Sequence, residues 1–507
     1  MSKGKQQMKF GKLVSTTIVL FISSSIHVAF AQDFYWACGN GNWSSGSCWS
    51  GVQGGTGGAG VPGVSDDAFI FNTSPADVTV TYNSNLYPIS RLNSYVLDAN
   101  NTGNLSMTLQ DEQILKAVYE TVGNNGTASV IQKSGDNYSS YLELAKTQTS
   151  NGSYYLNGGN LYTSSTYVAG GGRELSGTGS FVQSNGNHQT GSLWVGDISS
   201  GGFNRANYEL SAGTLSTTWS YVMSGNSVFN QSGGIHNASQ NIRTNNNFYG
   251  GAATYNLSGG ILSTREFLNG GVFNYTGGDL QTSVGFRNEN GGTFILNKGA
   301  GEIHEFDGYF LNRDRAIFEV TTEETAVFNG QVSGSGNFTG DGTKVFRDEY
   351  RPGYVYIPPE PNPDDPFPLP EEPIRYSLAN GPAFTGDTIF EETSMISLFL
   401  LGDGQSDWLN FSGPVDLNGT LNLSLGLDEY MPILGDSWDI IFGTDINGSF
   451  SNIVSDAPGN WGWEILYLDD RVTLTTTNLS SVPIPAGVWL FGSGLIGLVG
   501  FARRKKA

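Results

Sequence analysis

Charge, cysteine and helical patterning are all scarce in this chain. Only 14% of its 507 residues are charged, and 25 cations face 46 anions, for a net charge of −21. Such a surface repels phosphate backbones and anionic membranes, so nucleic acid is not a partner. Two cysteines cannot build a disulfide-dense scaffold or a four-ligand zinc site. With four histidines and no P-loop, HExxH or Ser/His/Asp arrangement, no catalytic residue, cofactor-binding residue or metal ligand is assigned. Apolar runs with helical character are confined to the two ends.

Glycine is abundant, at 70 residues, against a hydrophobic content of 38%. That pairing implies a thin core spread along the chain. From about residue 100 to 300 the sequence repeats. Eight segments align: Val130-Ile131-Gln132-Lys133-Ser134-Gly135, then those beginning at Tyr154, Phe181, Tyr208, Phe229, Tyr255, Phe273 and Phe294. Seven of the eight start with an aromatic residue, at spacings of 18 to 27 residues. Strand-like units of this period with glycine turns predict a β-solenoid. One unit cannot bury its own apolar face, whereas stacked units place each aromatic ~4.8 Å from the next. The glycines supply positive φ at the corner. Third positions alternate Gln132, Leu156, Gln183, Leu210, Gln231, Leu257, and eighth positions alternate His188, Leu215, His236, Leu262. The chemistry therefore repeats every two units. These motifs resemble the repeats of secreted right-handed β-helix proteins, which implies a right-handed parallel solenoid.

Upstream, Lys3, Lys5, Lys9 and Lys12 precede an apolar stretch from Leu13 to Ile26 and an Ala29-Phe30-Ala31 site. Residues 1–31 read as a signal peptide cleaved before Gln32, with an N-terminal anchor as the competing reading. Cys38 and Cys48 stand ten residues apart. In an oxidising compartment a disulfide is expected; free thiols or a metal pair are the alternatives, although further ligands are lacking nearby. Trp36, Trp43 and Trp49 are read as core packing. The 32–100 segment resembles the N-terminal cap of autotransporter-type solenoids, and coils are expected over 101–347. Residues 348–374 are rich in proline, aspartate and glutamate, a stiff acidic linker that marks a domain boundary or an insertion between coils. Short strands over 375–478, with a hairpin turn at Asp469-Asp470, suggest a small C-terminal β domain.

The end of the chain is an address. Val482, Pro483 and Pro485 precede an uncharged run from Ala486 to Ala502, followed by Arg503, Arg504, Lys505 and Lys506. Seventeen residues make about 25 Å of helix, enough to cross a bilayer core, with the cations held in the cytoplasm. A buried core helix is the competing reading. Residues 479–507 closely resemble the PEP-CTERM sorting signal, although Ile484 stands where that motif carries Glu. The resemblance implies an exosortase-type processing enzyme as partner, transient residence in the inner membrane, and release to the cell surface or beyond.

The chain thus reads as an exported, non-enzymatic surface or matrix protein associated with exopolysaccharide or biofilm. A glycan-binding adhesin using Trp194, Trp219 or Tyr221 is one alternative. A polysaccharide-degrading β-helix enzyme is the other, yet Asp197, Glu209, Glu266, Asp279 and Glu289 fall at different repeat positions. His188 and His236 are read as surface or turn residues ~10 Å apart, from the strand spacing. Glu302, Glu305 and Asp307 are read as a solvated cap, and His304 as isolated. Asp364-Asp365 and Glu371-Glu372 would hold Ca²⁺ loosely at most.

Overall fold

The computed structural model describes residues 31–84, 91–100, 103–169, 177–196, 205–223, 225–244, 251–353, 381–401, 404–425, 431–456 and 461–478. These form an all-β parallel solenoid with three faces per coil. In one coil, Thr178–Gln183 makes the first face. A corner at Gly186 leads into Asn187–Val195, which bends at Gly191 into a second face (187–190) and a third (192–195). The next coil then pairs in parallel register on all three faces. Alternation dictates this arrangement: in Asn151–Leu156, Gly152, Tyr154 and Leu156 are buried and the residues between them face outward.

The first-face column is the sequence alignment made physical. Val130, Tyr154, Phe181, Tyr208, Phe229, Tyr255, Phe273 and Phe294 are successive cross-strand partners. Rings from Tyr154 to Tyr255 stack face to face at 4.6–5.1 Å, the spacing of adjacent parallel strands. The sixth residue of each motif through Gly278 sits at the corner with positive φ (Gly135, Gly159, Gly186, Gly213, Gly234, Gly260, Gly278). At Gly260 (φ 78°) a Cβ would lie 2.3 Å from the Gly234 carbonyl oxygen of the coil before, so both conformation and space require glycine.

Asparagines line the corner between third and first faces. Asn269 donates to Asn288 (2.9 Å) and Asn288 to Asn312 (3.0 Å). Each Nδ2 also reaches a backbone carbonyl of the next coil, at Thr293, Ile317 and Asn337. Such ladders satisfy the polar corner groups without water. Trp36, Trp43 and Trp49 are buried over the first coil in edge-to-face contacts of 4.8–5.1 Å, and Cys38 and Cys48 are disulfide-bonded there.

The strands expected to form a separate C-terminal β domain are, up to Ser455, further coils of the same stack. Phe338 pairs with Phe384, Phe384 with Phe411, and Thr420–Leu423 with Asn452–Ser455, all in parallel. The acidic Pro-rich stretch therefore interrupts the solenoid as an insertion between coils. Its residues 354–380 lie outside the described part. The stack ends on the predicted hairpin: Trp461–Tyr467 and Arg471–Asn478 pair antiparallel, and the latter closes on Ser437–Phe442. Among the described residues no helix is long and apolar enough to cross a membrane; the tail expected to supply one, 479–507, lies outside them.

Candidate functional site

Three places concentrate chemistry-bearing side chains. The first is the interior. His188 and His236 are fully buried inside the coils, which corrects their reading as surface or turn residues. Tyr208 donates to Gln183 Oε1 (2.8 Å), so its only proton is committed. His188 Nδ1, 3.0 Å from that hydroxyl, must then be the donor, and Nε2 accepts from Thr166 at 3.1 Å. Thr163 in turn donates to Thr166 (2.8 Å). Gln183 Nε2 ends the chain on the Gly186 and Thr214 carbonyls. Two coils on, Thr217, Ser220, His236, Tyr255 and Gln231 repeat the wiring. This explains the two-unit period. A Phe coil carries Gln and His, the following Tyr coil carries Leu and Leu, and the tyrosine hydroxyl joins them. Burial lowers both imidazoles to about 3, His236 adding a smaller repulsion at His188, so both are neutral.

Upstream, Glu120 is fully buried. Its Oε2 accepts from Tyr95 (2.8 Å) and Asn137 (3.0 Å). Asn137 stands at the histidine position and also donates to Tyr154, which donates to Gln132. Burial raises the Glu120 carboxyl to about 8, against the opposing pull of those two hydrogen bonds.

The second place is a split in the second face. Asp279–Thr282 pairs with the coil before it, and Ile303–Phe306 with the coil after it, but no ladder joins the two. The first and third faces stay zipped across the same step, through Tyr275–Leu296 and Gly285–Tyr309. The cause is local: the corner before Ile303 spans 297–302, whereas the corner before Asp279 is only Thr276-Gly277-Gly278. The cavity this leaves measures about 680 Å³ and is lined by Asp279, Gln281, Thr282, His304, Glu305 and Asp307 over Leu280, Phe286 and Phe306. Glu302, Glu305 and Asp307 therefore lie mid-stack rather than on a cap. His304 meets Tyr275 and Phe306 edge-on at 4.5 and 4.7 Å. Burial, reinforced by Lys298, lowers its imidazole to about 4.

The third place is the outer surface. Tyr119 stacks on Tyr141 at 5.2 Å, and Tyr138 on Tyr162 at 4.7 Å with Lys116 over the Tyr138 ring. Of the aromatics expected to bind glycans, Tyr221 is buried and stacks on half-buried Trp194 at 4.2 Å, and Trp219 is half-buried. Rings stacked face to face cover each other, so these columns hold coils together more than they offer a platform.

The remaining acidic residues do not converge. Glu209 is exposed and accepts from Asn207; Glu266 is buried 3.8 Å from Arg287, which with Arg313 also pairs with Glu289. Asp197 lies outside the described residues, as do Asp364, Glu371, Ala29 and the sorting residues Val482, Pro483, Pro485, Arg503, Arg504 and Lys505. Ala31 and Gln32 are exposed, and the Gln32 carbonyl accepts from the first coil at Asp67 (2.9 Å). No described group of three His, Cys, Asp or Glu side chains could hold a metal ion. Two features escape the sequence reading. Glu120 was signalled only by the alternation Leu115, Ala117, Glu120, Val122, and the split only by a corner three residues too long. No model of a known protein family matches this chain, and no curated protein matches it either.

Proposed function

We propose that this protein is an exported structural solenoid of the cell surface or extracellular matrix, associated with exopolysaccharide. It crosses the inner membrane behind its signal peptide. It is held there by the 479–507 tail until an exosortase-type enzyme removes that tail. The right-handed wind is the hand expected of parallel crossovers. One observation carries the reading. The repeat array places its His, Gln and Tyr side chains inside as hydrogen-bonded ladders, so its recurrent chemistry is used for rigidity (His188, His236, Gln183 and Gln231 are all 0–1% exposed). A stiff, charge-poor rod of this kind suits a load-bearing or spacing role.

The test uses the full chain expressed in a Gram-negative host with and without an exosortase. Cell fractions are probed for the protein, and the purified protein is co-sedimented with a panel of bacterial exopolysaccharides. Surface delivery that needs the processing enzyme, together with co-sedimentation, is the expected result. New reducing or unsaturated ends in the polysaccharide would overturn the reading in favour of an enzyme.

A further inference from the structure

We infer that the split in the second face is a binding cleft for a neutral saccharide, entered from the side of the rod and floored by aromatic rings. The inference deepens the matrix reading above and rests on it for a supply of polysaccharide.

The opening is built rather than loose. In a parallel ladder each residue turns its N–H and C=O to the same neighbour, so losing one rung strands the groups on both facing edges. On one edge the chain supplies substitutes from within. Leu280 N donates to the Tyr275 hydroxyl (3.2 Å), and the Gly278 carbonyl accepts from Tyr275 (3.2 Å) and from Lys298 Nζ (3.1 Å). Tyr275 and Lys298 thus hold the edge in place of the missing strand. The facing edge, Ile303–Phe306, has no such substitute among the described residues. Either ring nitrogen of His304 also lacks a hydrogen-bond partner there, although the ring is pinned between Tyr275 and Phe306.

The lining selects the ligand class. Asp279, Glu305 and Asp307 are acceptors and repel anions, so phosphate, sulfate and uronate ligands are disfavoured. Arg347 engages Glu305 (3.2 Å) and Asn329 engages Asp307 (2.8 Å), which fixes these carboxylates in position. A chelated metal ion is disfavoured because no described group of three His, Cys, Asp or Glu side chains could hold one. A neutral imidazole, an amide at Gln281 and a hydroxyl at Thr282 offer both donors and acceptors. Rings at Phe286 and Phe306 beneath polar groups match a molecule with C–H faces and a rim of hydroxyls. At about 680 Å³ the cavity falls within the ~300–1,000 Å³ range of small-molecule sites.

The test titrates the full chain with neutral oligosaccharides of glucose, galactose and mannose, with an oligogalacturonate, and with calcium chloride alone, by isothermal calorimetry. His304→Phe keeps the ring contacts and removes both nitrogens; Asp307→Asn keeps the Asn329 contact and removes the charge. Binding of one neutral oligosaccharide, weakened at least tenfold in both variants with an unchanged unfolding midpoint, is the expected result. Equal binding by both variants, binding by the uronate or calcium alone, or no binding by any neutral sugar overturns the inference. Tyr119→Ala on the outer surface should leave this affinity unchanged. If oligosaccharides bind but the protein neither reaches the surface nor co-sediments with polysaccharide, the matrix reading fails and the cleft stands.

Discussion

Replacing Glu120 with glutamine should stabilise the protein, and more so as pH rises. The carboxyl sits among Tyr95, Asn137 and Tyr154 with no access to water, and burial holds its proton to about pH 8. In the unfolded chain the same group ionises near 4.5. Between these values the folded state binds one more proton than the unfolded state. The contribution of Glu120 to stability is therefore full below pH 4.5 and is lost as pH rises toward 8, at about 1.4 kcal/mol per pH unit. At pH 7 the accumulated cost is roughly 3 kcal/mol. Glutamine cannot ionise, and its oxygen can still accept from Tyr95. Its amide adds a donor in a pocket where Asn137 Oδ1 has no hydrogen-bond partner. Urea unfolding of both proteins at pH 5, 6, 7 and 8 gives a difference in which other titrations cancel. That difference should grow by roughly 3 kcal/mol or more from pH 5 to pH 8. A neutral-acid carbonyl band in the infrared spectrum at pH 7, lost in the variant, would identify the proton directly. Parallel stability curves, or no such band, would refute the protonated Glu120.

Three further outcomes follow from the same geometry. His188→Leu with His236→Leu copies the alternate coils at Leu161 and Leu215. Because both imidazoles are depressed from 6.5 to about 3, their contribution to stability is full above pH 6.5 and falls as pH drops. The double variant should lose that acid slope, about 1.4 kcal/mol per pH unit per histidine, in denaturation between pH 6 and 4. Gly260→Ala should cost ~2 kcal/mol or more in the same assay because it meets the Gly234 carbonyl, whereas Gly54→Ala, with positive φ but open space, should cost only ~1 kcal/mol. Replacing Arg503 to Lys506 with neutral residues should leave the tail uncleaved or the protein mislocalised, read by mass spectrometry and cell fractionation; unchanged processing would contradict the tail's role.

The repeat array was legible because one physical requirement, an aromatic stack at strand spacing, recurs in the sequence. Each of the eight aligned segments lies in register with the next. The interior histidines were misplaced for a reason of parity. Gly186 turns the chain at positive φ, so Asn187 faces out and His188 faces in. Leucine at the same position in alternate coils, Leu215 and Leu262, already marked it as interior. Beyond the Pro-rich insertion the period was invisible because partners are far apart: Phe338 and Phe384 are neighbours across 46 residues. The burial of Trp36, Trp43 and Trp49, the Cys38–Cys48 bond and the closing hairpin are legible because their signals are local. The cleft was not legible, since Asp279, His304 and Asp307 come from two coils and converge only because a ladder is missing.

That missing ladder falls at the seam between two kinds of core. From Tyr154 to Phe229, the centre of the rod is filled by one first-face aromatic per coil with Gln, His and Leu beside it, and Phe267 and Phe286 then add a ring from the third face. The last full network uses Gln231, His236 and Tyr255. From Phe306 onward the second face also contributes a phenyl ring, where Leu262 and Leu280 stood before, and Phe306, Phe310 and Phe318 meet edge-on at 5.0–5.7 Å. Rings of that size need a wider wall than Leu262 or His236 do, and close packing leaves no slack to absorb the difference. The first and third faces keep their register, so the second face must take up the change. The longer 297–302 corner provides the chain length to do so. Tyr275, at the position held by Gln or Leu upstream, turns its hydroxyl to the abandoned edge at Gly278 and Leu280. The opening is thus a consequence of joining a hydrogen-bonded solenoid to a phenylalanine solenoid, and the residues that seal its rear edge are those that differ from the repeat.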